Sequence, residues 1–332
     1  MKHLFLIIIL IISTQAFGTI RRVNNNPEIA LVPGLVYANL STALADVIDG
    51  DTIYLEPSST SYSASTISKR IVLIGNGYQL ESNANTISSI SANRLESKIT
   101  NSFNFASGSS NSIVYGVVFS FSFSIDPSVS GLTFNGCTFS GGINIFGNNN
   151  SLINCQTSLA NNVSGSGLNT FIQSSILGIL QLSNAVVDHC YIDNLNSGTN
   201  NTFNNCLIEQ VNPNLSTTNS IAFCLKIPNG TSVFPQSGIN NNIENLSDRT
   251  TIFIVADPSS GNSISDKNFM LKSGSPALAT GTNGSDMGIF GGNIPYKLSG
   301  QPPVPIITNF FISNTGSIQS GLSGSITIQS NN

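Results

Sequence analysis

The chain reads as an all-β protein wound into a right-handed, single-stranded parallel β-helix. Three observations predict this. First, one pattern returns every 16 to 20 residues between Ser112 and Leu225: an apolar residue, a small residue three positions later, then another apolar one. Val114/Val117/Phe119, Phe134/Cys137/Phe139, Leu152/Cys155/Thr157, Phe171/Ser174/Ile176, Val187/Cys190/Ile192 and Phe203/Cys206/Ile208 are the copies, with Ile221/Cys224 a frayed seventh. Second, runs of Asn, Ser and Gly separate the copies, and these residues tolerate left-handed backbone and make turns. Third, charge is scarce, at 8% of residues against about 25% in an ordinary globular protein, while hydrophobic content stays at 40%. A period this short excludes helical-hairpin repeats. A single coil cannot bury its apolar face alone, so stacking must join those faces into one core. Parallel crossovers are right-handed as a rule. Coils about 4.8 Å apart would make a rod on the order of 50 Å long.

Taken in order, residues 1–18 read as an export signal. Lys2 and His3 form a short positive region and Leu4 to Ile12 an unbroken apolar run. Thr14-Gln15-Ala16 or Ala16-Phe17-Gly18 supplies small residues for cleavage. The apolar run is too short for a typical membrane span. Residues 19–300 follow as the β-helix. Ala43, Leu44, Val47 and Ile48 share one face at helical spacing, so a short helix is expected over 41–48, capped by Asn39 or Ser41 and ended at Asp49-Gly50-Asp51. Strands are expected to start at Thr52–Leu55 and to run over Lys69–Gly77, the latter ending in a turn. Regular coils occupy about 112–225. The open strand edges at both ends of such a rod need covering. The helix serves for the first coil and residues 258–332 for the last. In the segment 301–332, Pro302-Pro303-Val304-Pro305 marks a break. Ile306–Ile312 and Gly324–Ile328 then read as a ribbon packed on the rod.

The stretch LSTALADVIDGDTIYLEPSSTSY (40–62), followed by ISKRIVLIGNGY (67–78), resembles the opening of right-handed parallel β-helix proteins of the pectate-lyase-like superfamily. In that family a short amphipathic helix plugs the N-terminal end of the coil. Phe269 to Ala277 and Asp286 to Gly292 are similar to the closing segment of exported bacterial β-helix proteins. The resemblance covers roughly residues 39–295 and implies the fold. Enzymes of that superfamily are chiefly polysaccharide lyases and glycoside hydrolases, but none of the matched stretches is catalytic.

Charge excludes several functions. The net charge is −4, and no Lys or Arg lies between Lys98 and Lys226. A nucleic-acid reader needs a basic stripe, and a pectate-type lyase needs a base and a clamp for uronates. Cys137, Cys155, Cys190, Cys206 and Cys224 share one slot of the repeat, with Ser174 at the missing step. They read as an inward stack of free thiols rather than a disulfide framework or zinc site. No cofactor or metal is expected. The coil body holds four carboxylates, Asp126, Asp188, Asp193 and Glu209. Asp188, Asp193 and Glu209, with His189 beside them, are the one cluster that could form a small acidic site for a sugar hydroxyl or cation. The competing reading, which the spacing favours, is a set of solvated polar residues at a strand edge or bend near Asp188.

The expected function is that of an exported, non-catalytic protein of the cell surface or extracellular space, structural, adhesive or glycan-contacting. Its expected partner is a polysaccharide or another surface component, with no nucleic acid, no membrane span after signal removal, and a monomeric state. The alternative is a polysaccharide lyase or glycoside hydrolase acting on a neutral or weakly charged polysaccharide.

Overall fold

The computed structural model describes residues 18–331 apart from 65, 88, 159–161, 228–233, 235–239, 245–248, 256–263, 295 and 320. The export signal expected at residues 1–18 lies outside them except for Gly18. The chain winds into a parallel β-solenoid of about 11 turns. One flank is an 11-stranded parallel sheet, sheet A. Its regular strands are Ile113–Tyr115, Thr133–Asn135, Ser151–Ile153, Thr170–Ile172, Val186–Asp188, Thr202–Asn204 and Ser220–Ala222. The opposite flank, sheet B, starts as two ladders of short strands. One holds Lys98–Ile99, Val118–Phe119, Thr138–Phe139 and Gln156–Thr157, the other Phe103–Phe105, Phe123–Ile125, Ile143–Ile145 and Asn162–Ser166. Both meet on the nine-residue strand Ser175–Ser183, after which single strands continue.

The repeat predicts the register residue for residue. Val114, Phe134, Leu152, Phe171, Val187, Phe203 and Ile221 pair in succession along sheet A. In the next slot the five cysteines are buried free thiols. Each Sγ lies between the carbonyl two residues back and one on the previous coil. For Cys190 these are Asp188 O at 3.3 Å and Phe171 O at 3.5 Å. Ser174 Oγ makes the same pair of contacts, to Ile172 O at 2.9 Å and Leu152 O at 3.3 Å. Burial holds the Cys155 and Cys206 thiols well above the ordinary range, so each stays a protonated donor.

Phenylalanines fill the wide middle of the rod. Phe134 lies edge-on to Phe105, Phe123 and Phe139, with centroids 5.2–5.9 Å apart. Inward asparagines replace apolar residues at one corner. Asn150 Nδ2 donates to Asn169 Oδ1 at 3.1 Å and Asn201 Nδ2 to Asn219 Oδ1 at 2.9 Å, while Asn150 Oδ1 and Asn201 Oδ1 accept the backbone N–H of Leu132 and Ala185. These ladders satisfy buried amides coil by coil. The seventh copy ends the pattern: Lys226 occupies the slot of Ile208 and donates to Glu209 O at 2.6 Å and Ile227 O at 2.8 Å.

The capping helix α1 runs Leu40–Asp46 and lies on the first strands, burying Leu40 and Ala43. It is shorter than expected. Val47 is already extended, with ψ 150°, and Ile48 is exposed rather than on the packed face. Asp51 causes the early stop: its Oδ2 accepts the Ile48 N–H at 3.1 Å while its Oδ1 accepts that of Thr19 at 2.6 Å.

Phe269 and Leu271, from the segment expected to cover the last coil, join the apolar cluster that holds Leu225 and Ile227 there. Residues 281–294 and 296–301 run back along the flank, over bends that end the regular strands of sheet A. Those bends fall at Gly116, Gly136, Asn154, Gln173, His189, Asn205 and Phe223, all with φ between 47° and 64°. Contacts pass from Asn205 O, which accepts from Gly288 N at 2.8 Å, to Gly77 and Tyr78 near the N-terminal coils, where Tyr78 N donates to Ser299 O at 2.8 Å. A second apolar cluster lies beneath the neighbouring segments, where Tyr191, Leu207 and Leu225 of sheet B meet Phe253, Phe269, Met287 and Ile289. The terminal ribbon forms, Ile306–Ile312 against Gly324–Gln329 antiparallel, but only Ile306 is buried. It leaves the rod beside Ala92, whose N–H donates to Ile307 O at 2.7 Å.

Candidate functional site

The bend at His189 opens the site. Strand Val186–Asp188 ends there because His189 adopts φ 49°, which turns Cys190 inward and leaves His189 pointing away from the core. The sequence predicts that outward direction. Solvent is nevertheless kept off: residues 288–294 lie over the ring and His189 is only 7% exposed. Gly291 and Gly292 allow this approach, since a Cβ at Gly291 would stand 2.8 Å from His189 Cδ2 and one at Gly292 3.2 Å from Cε1.

Around the imidazole is a line of polar contacts. His189 Nδ1 is 3.1 Å from Asp188 Oδ2, and His189 Nε2 is 3.2 Å from Ser285 Oγ. Asn205, one coil on, donates from Nδ2 to Asp188 Oδ1 at 2.9 Å and accepts the Thr282 N–H at its Oδ1 at 2.7 Å. One side chain thus fixes both the carboxylate and the loop that carries Ser285. That loop is closed on itself by Gly281 N to Ser285 O at 2.8 Å and by Ser285 N to Thr282 O at 3.2 Å. Burial works against the Asp188 carboxylate, but hydrogen bonds from His189 and Asn205 prevail and hold it below the ordinary range.

These groups face a cavity of about 640 Å³. Neutral groups dominate its wall: Gln173, Asn204, Asn283, Ser285 and Asn293 supply amides and a hydroxyl, and Asp188 is the one carboxylate. Gln173 is buried with its Nε2 on Gly291 O, and its Oε1 has no hydrogen-bond partner among the described residues. Such a wall matches the alternating donors and acceptors of sugar hydroxyls.

The three carboxylates singled out from the sequence do not converge. Asp193 and Glu209 sit on neighbouring strands of sheet B, Tyr191–Ser197 and Leu207–Val211, whereas Asp188 ends a strand of sheet A. Glu209 is 1% exposed, and its Oε1 is bound by the Tyr191 hydroxyl and by Arg249 in a buried ion pair. Asp193 is half-buried beside it. The expectation of a solvated cluster is therefore corrected at both His189 and Glu209, each of which is covered by chain from beyond residue 248. Ser285 escaped sequence reasoning because it lies 96 residues from His189 with no shared period. Asn205 was legible only as the slot equivalent of His189.

Among the described residues no group of three or more His, Cys, Asp or Glu side chains is gathered to hold a metal ion, and no helix is long and apolar enough to cross a membrane. No family model, curated protein or solved structure matches the chain.

Proposed function

We propose that the protein is an exported β-helix of the pectate-lyase-like type that works at the cell surface or in the extracellular space, contacting neutral polysaccharide through the pocket beside His189. The observation that carries this reading is the wall of that pocket. It is built mainly from amides and hydroxyls, with Asp188 its one carboxylate, on a coil body without Lys or Arg from residue 99 to 225. Such a surface offers nothing to hold a uronate carboxylate. The N-terminal sequence supports export. Cleavage of the glycosidic backbone is disfavoured, because hydrolysis needs two carboxylates flanking one bond and Glu209 is consumed by Arg249.

Affinity electrophoresis and calorimetry with mannan, xylan and β-glucan, against pectate and alginate, test the reading. Binding to at least one neutral polymer and none to the polyuronates is expected. Asn293→Ala and Asn283→Gly, the latter preserving the left-handed bend at φ 57°, should weaken binding about fivefold each. Failure to bind any neutral polymer, or equal binding to pectate, would overturn it.

A further inference from the structure

The line from Asp188 through His189 to Ser285 has a chemical consequence that sugar binding does not use. Asp188 is held ionised by its partners and can only accept, so Nδ1 of a neutral His189 carries the proton. Nε2 is then an acceptor, and the hydrogen bond to Ser285 has the hydroxyl as donor. A carboxylate, an imidazole and a serine hydroxyl in this order are the parts of an activated nucleophile, and such sets are recognised by geometry rather than by chain order. The parts are also held in place. Asn205 bridges the carboxylate to the serine loop, the glycines at 291 and 292 press on the ring, and Ser285 faces a cavity of about 640 Å³, room for a sugar with a small acyl substituent.

We infer that Ser285 is a nucleophile, with His189 as its general base and Asp188 as a positioning residue, and that the pocket hydrolyses acyl esters carried on the hydroxyls of a neutral polysaccharide. The substrate class rests on the polysaccharide-contacting reading above. In the first half, Ser285 Oγ bonds to the acyl carbon as its proton passes to His189 Nε2. The ester C–O bond then breaks, and the departing sugar oxygen takes that proton. In the second half, water attacks the acyl-serine and gives a proton to Nε2. The Oγ–C bond breaks and the proton returns to Oγ. The sum is ester plus water giving a free sugar hydroxyl and a carboxylic acid. Asn283 and Asn293 on the pocket wall provide side-chain amides as donors for the developing oxyanion.

The test uses the full exported chain with O-acetylated mannan oligosaccharides, and the same oligosaccharides after alkaline deacetylation as the binding control. Acetate release is followed with time, and a fluorophosphonate probe reports an activated serine. The wild type should release acetate and take the label. Ser285→Ala should lose both, with turnover down at least about 10³-fold. Asp188→Asn should lower kcat by about 10³-fold with little change in KM, a split that a purely structural tether would not produce. Binding without acetate release or label would overturn the ester reading and leave the polysaccharide reading standing. Absence of both binding and turnover would overturn the two together. Turnover surviving in Ser285→Ala would reject Ser285 as the nucleophile.

Discussion

Gly300 rests directly on Gly136. A Cβ on Gly300 would stand 2.3 Å from Gly136 O, and one on Gly136 would stand 2.5 Å from Gly300 O. Both residues are left-handed, at φ 52° and 64°. This reciprocal contact is how residues from the end of the chain reach the middle of the rod. Gly136→Ala should therefore cost about 3 kcal/mol, combining left-handed strain with overpacking against a backbone that cannot yield. Urea denaturation measures the loss. Hydrogen exchange should localise it, with faster exchange at the Tyr78 amide, which donates to Ser299 O.

The aromatic core gives a second prediction. Phe134 is fully buried and touches four rings, those of Phe105, Phe119, Phe123 and Phe139. Parallel coils hold the backbone fixed on either side, so a cavity there has little room to collapse. Phe134→Ala should cost about 4 kcal/mol, near the top of the range for such truncations. Loss under about 1 kcal/mol on chemical denaturation would show that the coil repacks.

Asp51 makes stability depend on acid. Burial opposes its charge, yet the Arg21 guanidinium and the N–H groups of Ile48 and Thr19 bring its carboxyl below the ordinary value of 3.8. A depressed folded value contributes stability that is present above 3.8 and is lost as pH falls through the folded value. Asp51→Asn should lose about 2 kcal/mol at neutral pH, since Arg21 then keeps only the neutral partners Gly34 O and Tyr37 Oη, and should show a flatter acid limb than the wild type. Denaturation midpoints taken from about pH 2 to pH 7 check both signs.

Thiol chemistry tests the cysteine stack. Ser174 shows that a hydroxyl can take the place of a thiol, because the same two carbonyls accept from it. Cys190→Ser should therefore cost only about 1 kcal/mol, whereas Cys190→Leu, which overfills the slot, should cost about 3 kcal/mol. A thiol reagent should find all five cysteines in denatured, unreduced protein and essentially none in the folded chain, since all five are buried.

How far the sequence could be read follows from where the relevant partner lies. Val114 to Ile221 were legible as one ladder because parallel coils place equivalent positions side by side, so periodicity is contact. The bend at His189 was legible from the same spacing. The length of α1 was not, because Asp51 ends the helix by accepting the Ile48 N–H, a choice between local hydrogen bonds that apolar periodicity does not record. Glu209 looked like a free carboxylate until Arg249, 40 residues on, was seen to neutralise it.

By itself, then, the sequence determined the solenoid, its register and its inward thiol stack, since each is a repeat of one coil's interactions with the next. The tertiary structure decided what lies over the outward bends. Residues 281–294 and 296–301 carry no period, and only folding lays them across His189, Asn205 and Gly136. The neutral pocket, and the serine that meets the imidazole within it, exist because an aperiodic segment packs on a periodic one.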